Sequence, residues 1–333
     1  MAVTMKDIAD KLGISLGTVS RALNDKPDID QDTKELILET AEELNYLPNF
    51  FAKSLRTKRT KTIGIIIPDI KDPVFAEILY GATQSARKHG YQMIESMLLE
   101  RGLSVNEELK AIRTLISKRV DGLLLQPEHE DRRYFEALQD CPVPYVFINR
   151  YPKNFEGNYV SHNHEHGAYL AARHLLEKGH EEIVFIVRSP RTSTVMARIN
   201  GCSKALREYQ LPENALIISE CGDTIKEAYQ QTLKLLEKAK PPFAFFVWQD
   251  IMALGVLKAA SDFGLNIPKQ VAVVGYNDIE MAPYFFPPLT TVRQKISDIG
   301  VKAADLLINR LKGEAGEKDH ILIQPELIVR NTT

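Results

Sequence analysis

The stretch that decides the fold is Val3 to Leu23, VTMKDIADKLGISLGTVSRAL. Its spacing predicts two short helices joined by a tight turn. Thr4 is a good N-cap residue, and Asp7 three positions later supplies a weak capping box. Ile8, Ala9 and Leu12 then share one helical face. Gly13 ends the first helix, because glycine takes the left-handed conformation at little cost. Ser15 caps the second helix, in which Val19, Ala22 and Leu23 turn inward. Leu16, Gly17, Ser20, Arg21 and Asn24 are left outward, the face a recognition helix offers to a major groove. Short helical hairpins also occur in ordinary cores, so this stretch alone leaves a purely structural role open.

The next segment of the chain narrows the choice. Asp30 can cap a third amphipathic helix with Leu36, Ile37, Ala41 and Leu44 inward, ending before Asn45-Tyr46-Leu47-Pro48-Asn49. On Asp7-Ile8-Ala9, Gly13-Ile14-Ser15, Thr18-Val19-Ser20-Arg21, Asn24, Leu44-Asn45-Tyr46 and Pro48-Asn49, the chain resembles the LacI family of bacterial transcription regulators. The resemblance continues through Ala52 and Leu55 and over nearly the whole chain. It implies a helix-turn-helix headpiece that contacts DNA through Thr4, Ser15, Leu16, Gly17, Thr18, Ser20, Arg21 and Asn24. It also implies a hinge helix over Phe50 to Arg56, with Asn49, Ala52, Leu55 and Arg56 on DNA. Two hinge helices would meet in the minor groove, each inserting Leu55 as an apolar wedge that kinks the duplex. The adjoining Lys53, Arg56, Lys58, Arg59 and Lys61 carry no acid among them, which suits phosphate contacts.

With 333 residues the chain has room for two or three domains. A hydrophobic content of 44% with 26% charged residues is that of a soluble globular protein. A net charge of −2 argues against indiscriminate binding of nucleic acid. No apolar run approaches the roughly 20 residues that span a bilayer. The N-terminus lacks the apolar core of an export signal, so a cytoplasmic location is expected. Cys141, Cys202 and Cys221 lack metal-type spacing and read as idle thiols in a reducing compartment.

From Thr62 the texture changes to alternating strands and helices. Strands are expected at 62–68, 91–97, 121–125 and 145–148, separated by helices near 73–89, 104–118 and 132–140. The strands are rich in Ile, Val and Leu without polar alternation, as a parallel sheet covered on both faces requires. The texture recurs with strands at 183–187, 215–219, 243–247 and 271–275. The fold class is therefore α/β: two doubly wound parallel-sheet lobes, like those of periplasmic binding proteins, preceded by a small all-α domain. The expected division is a headpiece over 1–47, a hinge over 48–61, a first lobe over 62–162 with 292–322, and a second over 163–291 with 323–333. Segments 157–163, 289–293 and the stretch near 321–324 are the expected crossings between lobes. The chain lacks the further leucine-rich helix that lets some family members form tetramers, so a homodimer is expected, paired through helices of the first lobe.

Little in the chain points to catalysis. There is no phosphate-binding Gly-rich loop, no G-x-S-x-G elbow and no Cys–His pair at a recognisable spacing. No cofactor is implied. His162-Asn163-His164-Glu165-His166 could hold Zn²⁺ or Ni²⁺ on one side of a strand, but a turn from strand into helix there would splay the rings.

Ligands of doubly wound sheets bind beyond the carboxyl ends of the strands. That rule directs attention to Asp69, Asp72 and Phe75, to Asn149 and Arg150, to Arg198, to Trp248-Gln249-Asp250 and to Asn277-Asp278. Asp250 looks like an N-cap. Together they offer aromatic rings, bidentate donors and acceptors, which suits a small polar or polyhydroxylated ligand. The resemblance supports Arg198, three residues before Gly201, most strongly, and also Phe75, Asn149, His162, Gln249 and Asn277. Several relatives have aspartate where this chain has His162 and Asn277, and an aromatic platform where it has Thr224. The expected effector site is Asp72, Phe75, Asn149, His162, Arg198, Trp248, Gln249 and Asn277, taking a sugar or sugar phosphate. The expected function is a repressor of metabolic genes that binds pseudo-palindromic double-stranded DNA. A regulator of the same type controlled by a partner protein, a periplasmic sugar-binding protein and an enzyme are the competing readings. The headpiece and the missing export signal count against the periplasmic reading, and the lack of a catalytic constellation against the enzyme.

Overall fold

The computed structural model describes residues 3–46, 59–98, 104–128, 132–152, 155–189, 192–238, 240–314, 316 and 319–333. The chain divides into two units, Met1–Thr60 and Lys61–Thr333.

In the first unit, α1 spans Met5–Leu12, α2 Leu16–Leu23 and α3 Gln31–Glu43. The Thr4 amide and hydroxyl both donate to the Asp7 carboxylate at 2.7 Å, closing the capping box at the start of α1. Gly13 ends α1 with φ 66°, and its amide donates to the Ala9 carbonyl. Ser15 Oγ accepts from the Thr18 amide at 3.0 Å, and Asp30 accepts from the Thr33 amide at the same distance. Ile8, Ala9, Val19, Ala22, Ile37 and Ala41 form the core of this unit. The expected inward position of Leu36 is wrong: it is 52% exposed. The buried stripe of α3 runs through Ile37, Thr40 and Ala41, with Leu44 half-buried beyond it. Thr40 takes that stripe although polar because its hydroxyl donates back to the Leu36 carbonyl at 2.8 Å.

The second unit holds two six-stranded sheets built on one plan. The first runs through β1 Thr62–Ile67, α4 Pro73–Lys88, β2 Gln92–Met97, α5 Val105–Ser117, β3 Gly122–Leu125, α6 Arg132–Gln139, β4 Tyr145–Ile148 and β5 Tyr159–His162. The chain then crosses into α7 His164–Glu177, β6 Ile183–Arg188, α8 Ser193–Glu208, β7 Leu216–Cys221, α9 Ile225–Leu236, β8 Phe243–Val247, α10 Asp250–Asp262, β9 Val271–Asn277 and β10 Thr290–Arg293. It returns through α11 Ile296–Lys312 and closes with β11 His320–Ile323 and β12 Glu326–Ile328. The sheet orders are β11-β5-β4-β3-β1-β2 and β12-β10-β9-β8-β6-β7. Within the sheets all pairs are parallel except β10 with β12.

The central strands are buried along their whole length, β1 and β8 for instance, as helices on both faces demand. Edge strands β2 and β7 carry polar residues, Gln92, Glu95 and Ser96 in the one and Ser219 and Glu220 in the other, and are partly exposed. Gly81 lets α4 lie against α11, since a Cβ there would stand 2.1 Å from the Ser297 carbonyl oxygen. Gly201 does the same for α8 on α7, at 2.1 Å from the Glu165 carbonyl oxygen. Segments expected only to cross between lobes are themselves strands β5, β10 and β11. Val292 and Arg293 pair in the second sheet and Ile323 in the first, so these crossings fall slightly later than expected.

Candidate functional site

In the headpiece, Leu16, Gly17 and Arg21 are exposed on α2, whereas Thr18, Ser20 and Asn24 are half-buried. The last three are partly engaged within the protein. The Thr18 hydroxyl lies 2.8 Å from that of Ser15, and Asn24 Nδ2 donates to the Ser20 carbonyl at 2.6 Å, closing the helix end. Thr4 is exposed beside α1. Arg21 leans on Asp28 at 3.6 Å, with both side chains about half exposed. Such a surface pair is worth at most about 1 kcal/mol, so it leaves the guanidinium available to a base edge. Asn49, Ala52, Leu55 and Arg56 lie outside the described residues.

The second candidate site is the cleft between the two sheets of the larger unit. Asp72, Phe75 and Asn149 line it from the first lobe, and Arg198, Trp248, Gln249 and Asn277 from the second. The strand ends explain this convergence. Asn149 follows β4 and Asn277 ends β9, and these strands hold equivalent places in the two sheet orders. Both residues have positive φ, 62° and 111°. Asparagine tolerates the left-handed region, but 111° lies beyond its usual well and stores strain where the chain turns into the cleft. Asp72 Oδ1 accepts from the Val74 amide at 3.0 Å, so this acid caps α4 as well as facing the cleft.

Arg198 is the centre of the site. It is 4% exposed, its Nη1 donates to the Trp248 carbonyl at 2.5 Å, and its guanidinium sits between two rings. The distances to the ring centroids are 3.9 Å for Trp248 and 3.4 Å for Tyr276. Burial lowers its pKa to about 10, so it remains charged at neutral pH.

His162 is a correction. It is buried in β5 but does not line the cleft, where His164 stands instead. His164 is the first residue of α7, and its Nε2 lies 3.4 Å from the Asn149 carbonyl. Burial pushes the pKa of His162 down to about 3 and that of His164 well below the ordinary value, so both rings are neutral. The His162 and His164 rings stand 6.3 Å apart, and His166 turns away to stack on Tyr169. Among the described residues no group of His, Cys, Asp or Glu is arranged to hold a metal.

Asp250 is a second correction, for it lies inside α10 with Gln249 at the cap position. It accepts from the Thr291 hydroxyl at 2.6 Å and the Ile279 amide at 2.9 Å, tying α10 to β10 behind the site. Burial raises its pKa to about 7.

Gln126, Arg188, Thr194 and Gln294 also line the cleft and escaped the sequence reading, as did Val74. Gln126 follows β3 and Arg188 ends β6, so the strand-end rule could have found both. Arg150, expected at the cleft, lines it as well and donates to the Pro127 and Glu128 carbonyls at 3.0 and 3.1 Å. Glu128 stands between Arg150 of the first lobe and Arg188 of the second, 3.8 Å from each. That buried acid links the lobes across the cleft.

Residues 4–49 match the family described as bacterial regulatory proteins, lacI family, and residues 172–333 match a periplasmic binding protein-like domain. The chain is 33% identical over 331 residues to the HTH-type transcriptional repressor PurR of Histophilus somni strain 129Pt, covering 99% of this chain and 98% of that one. The PurR of Vibrio parahaemolyticus is 32% identical over 330 residues with the same coverage. Among solved structures, the lac repressor dimer bound to operator and an anti-inducer superposes with a TM-score of 0.90 at 29% identity, over 100% of this chain and 99% of that one. A complex of the transcriptional regulator CelR with cellobiose gives 0.75 at 28% identity, over 99% and 100%. No helix among the described residues is long and apolar enough to cross a membrane. The chain therefore belongs to the lacI family of bacterial regulatory proteins, and its function is that of a DNA-binding transcriptional repressor with a small-molecule effector.

Proposed function

We propose that this repressor acts in the cytoplasm on metabolic genes, as a homodimer on a pseudo-palindromic operator, and that a small polar, sugar-like effector in the cleft sets its affinity for DNA. Two recognition helices related by a dimer axis require a site with matching symmetry. Leu16 meets a thymine methyl and Arg21 a guanine edge, while Thr4, Ser15, Gly17, Thr18, Ser20 and Asn24 position the headpiece on the backbone. Asn49, Ala52, Leu55 and Arg56 add the minor-groove contacts. The operator named with the lac repressor and the cellobiose named with CelR support the two halves of this reading.

The observation that carries the reading is Arg198, a buried cation clamped between aromatic rings at the floor of a cleft lined by both lobes. A ligand bridging Arg198 and Asn277 to Phe75 and Asn149 binds the open and closed cleft unequally, and only that difference can move the lobes. Reciprocity requires operator DNA to change effector affinity by the same factor, typically 5–150-fold. The test is operator binding by Arg198→Ala with and without an effector identified by calorimetry. The variant should bind DNA normally and lose the response. A normal response would remove Arg198 from the site, and loss of all DNA binding would assign it to structure.

A further inference from the structure

We infer that the effector is a polyhydroxylated carboxylate, its single negative charge taken by Arg198 and its hydroxyls by the amides around it. The inference rests on the cleft being the effector site proposed above, and it names the ligand's chemical class.

The charges in the cleft carry the first part. Among the described residues, Arg150, Arg188 and Arg198 line it. Arg150 and Arg188 share one carboxylate, Glu128. Glu128 lies behind the lining, and the acid within it, Asp72, caps α4 with one oxygen. Arg198 has no carboxylate within 4 Å among the described residues. Asp250 influences it through space, but both Asp250 oxygens are taken by Thr291 and the Ile279 amide. Glu108 packs behind Glu128 and outside the lining, and burial raises its pKa to about 7, so it is only partly charged near neutrality. A buried guanidinium without a counter-charge is costly, and an arriving anion removes that cost.

Geometry and charge together select the kind of anion. Trp248 and Tyr276 lie against the guanidinium and the Trp248 carbonyl takes Nη1, which fixes the plane of the fork. A fixed planar fork can hold a carboxylate or a phosphate by two parallel bonds, and charge decides between them. Arg150, Arg188 and Arg198 stand against the Glu128 and Asp72 carboxylates, which leaves the cleft about one positive charge, whereas a phosphate monoester brings nearly two negative ones. The second part comes from the amides. Gln126 is 1% exposed, and neither of its side-chain polar atoms has a hydrogen-bond partner among the described residues. Gln294 Nε2 is in the same condition. Buried amides without partners are costly, and hydroxyls, which both donate and accept, satisfy either end.

The test is calorimetry on the full chain with matched pairs: D-gluconate against D-glucose, and D-galacturonate against D-galactose, with D-glucose 6-phosphate and hypoxanthine alongside. At least one acid should bind ten-fold or more tightly than its neutral partner. Arg198→Gln should reduce that preference to near unity. The comparison within the unmodified protein stands even if the variant fails to fold. A neutral sugar or hypoxanthine binding as tightly as the acids, a preference for the phosphate, or no binding by either acid would each overturn the inference. The two readings fail separately. An acid that binds without changing operator affinity would sink the proposed regulation and leave the ligand class standing. A neutral sugar that shifts operator affinity would do the reverse.

Discussion

Glu108→Gln should stabilise the larger unit above neutral pH and leave it unchanged in acid. Glu108 is buried in α5, where its Oε1 accepts from the Glu128 amide at 3.3 Å. Burial raises its pKa from 4.5 to about 7, with the Glu128 charge adding to the rise and the Glu128 amide, Tyr134 and Arg150 opposing it. Between those two values the folded state holds a proton that the unfolded chain has released. Stability therefore falls as pH rises through this window, is unaffected below about 4.5, and has lost its full share above about 7. The gap corresponds to roughly 3 kcal/mol. Glutamine keeps the acceptor for the Glu128 amide and removes the ionisation. The advantage of the variant should thus grow from near zero at pH 4.5 to as much as about 3 kcal/mol at pH 8, a rise in Tm of roughly 5 °C or more. Thermal melts at both values, at equal protein concentration, measure it. Asp250 titrates over a similar window, but it is present in both proteins and cancels in the comparison. An advantage equal at the two pH values would refute the reasoning. So would a variant less stable at pH 8, because the attraction between the Glu108 carboxylate and Arg150 would then outweigh burial.

Arg21→Ala should weaken operator binding by roughly 1–3 kcal/mol per half-site and relax the preference at one base pair, read by binding to single-base operator variants. Gly81→Ala should cost roughly 1–3 kcal/mol in denaturant unfolding, because its Cβ meets the Ser297 backbone and the α4–α11 contact has to part. Leu55→Ala should reduce affinity for the specific site while weak non-specific binding persists, in titrations against operator and random DNA. Equal loss of both would leave Leu55 with a folding role only.

The elements that were legible in the sequence are those whose signals are local. Gly13, Ser15 and Asp30 are chemical statements about where helices begin and end, and the backbone follows them. The uninterrupted apolar runs of β1 and β8 required two covered faces, which the helices supply. Leu36 was misread because α3 spends an inward position on Thr40. The hydroxyl satisfies itself on the preceding turn, which no hydropathy pattern reports. His162 failed for a similar reason. Residues two apart on one strand share a face, but β5 ends at His162 and α7 begins at His164, and that change of element leaves the first a core histidine and turns the second to the cleft.

The cleft exposes a deeper limit on what a linear reading can find. The strand-end rule names positions but does not say which of them share charge. Asn149 and Asn277 were found because each stands at the turn out of its strand, at equivalent places in two sheets of one order. The same equivalence relates β1 to β6 and β3 to β8, so the ends of those strands, Arg188 and Gln126 included, were equally open to inspection. What could not be read is that Glu128 would serve Arg150 and Arg188 together, since the pair joins residues from different lobes. Only after that acid is assigned does Arg198 stand without a counter-charge. The ligand's charge is thus a property of the assembled cleft, carried by the leftover from an ion-pair arrangement that no single segment contains.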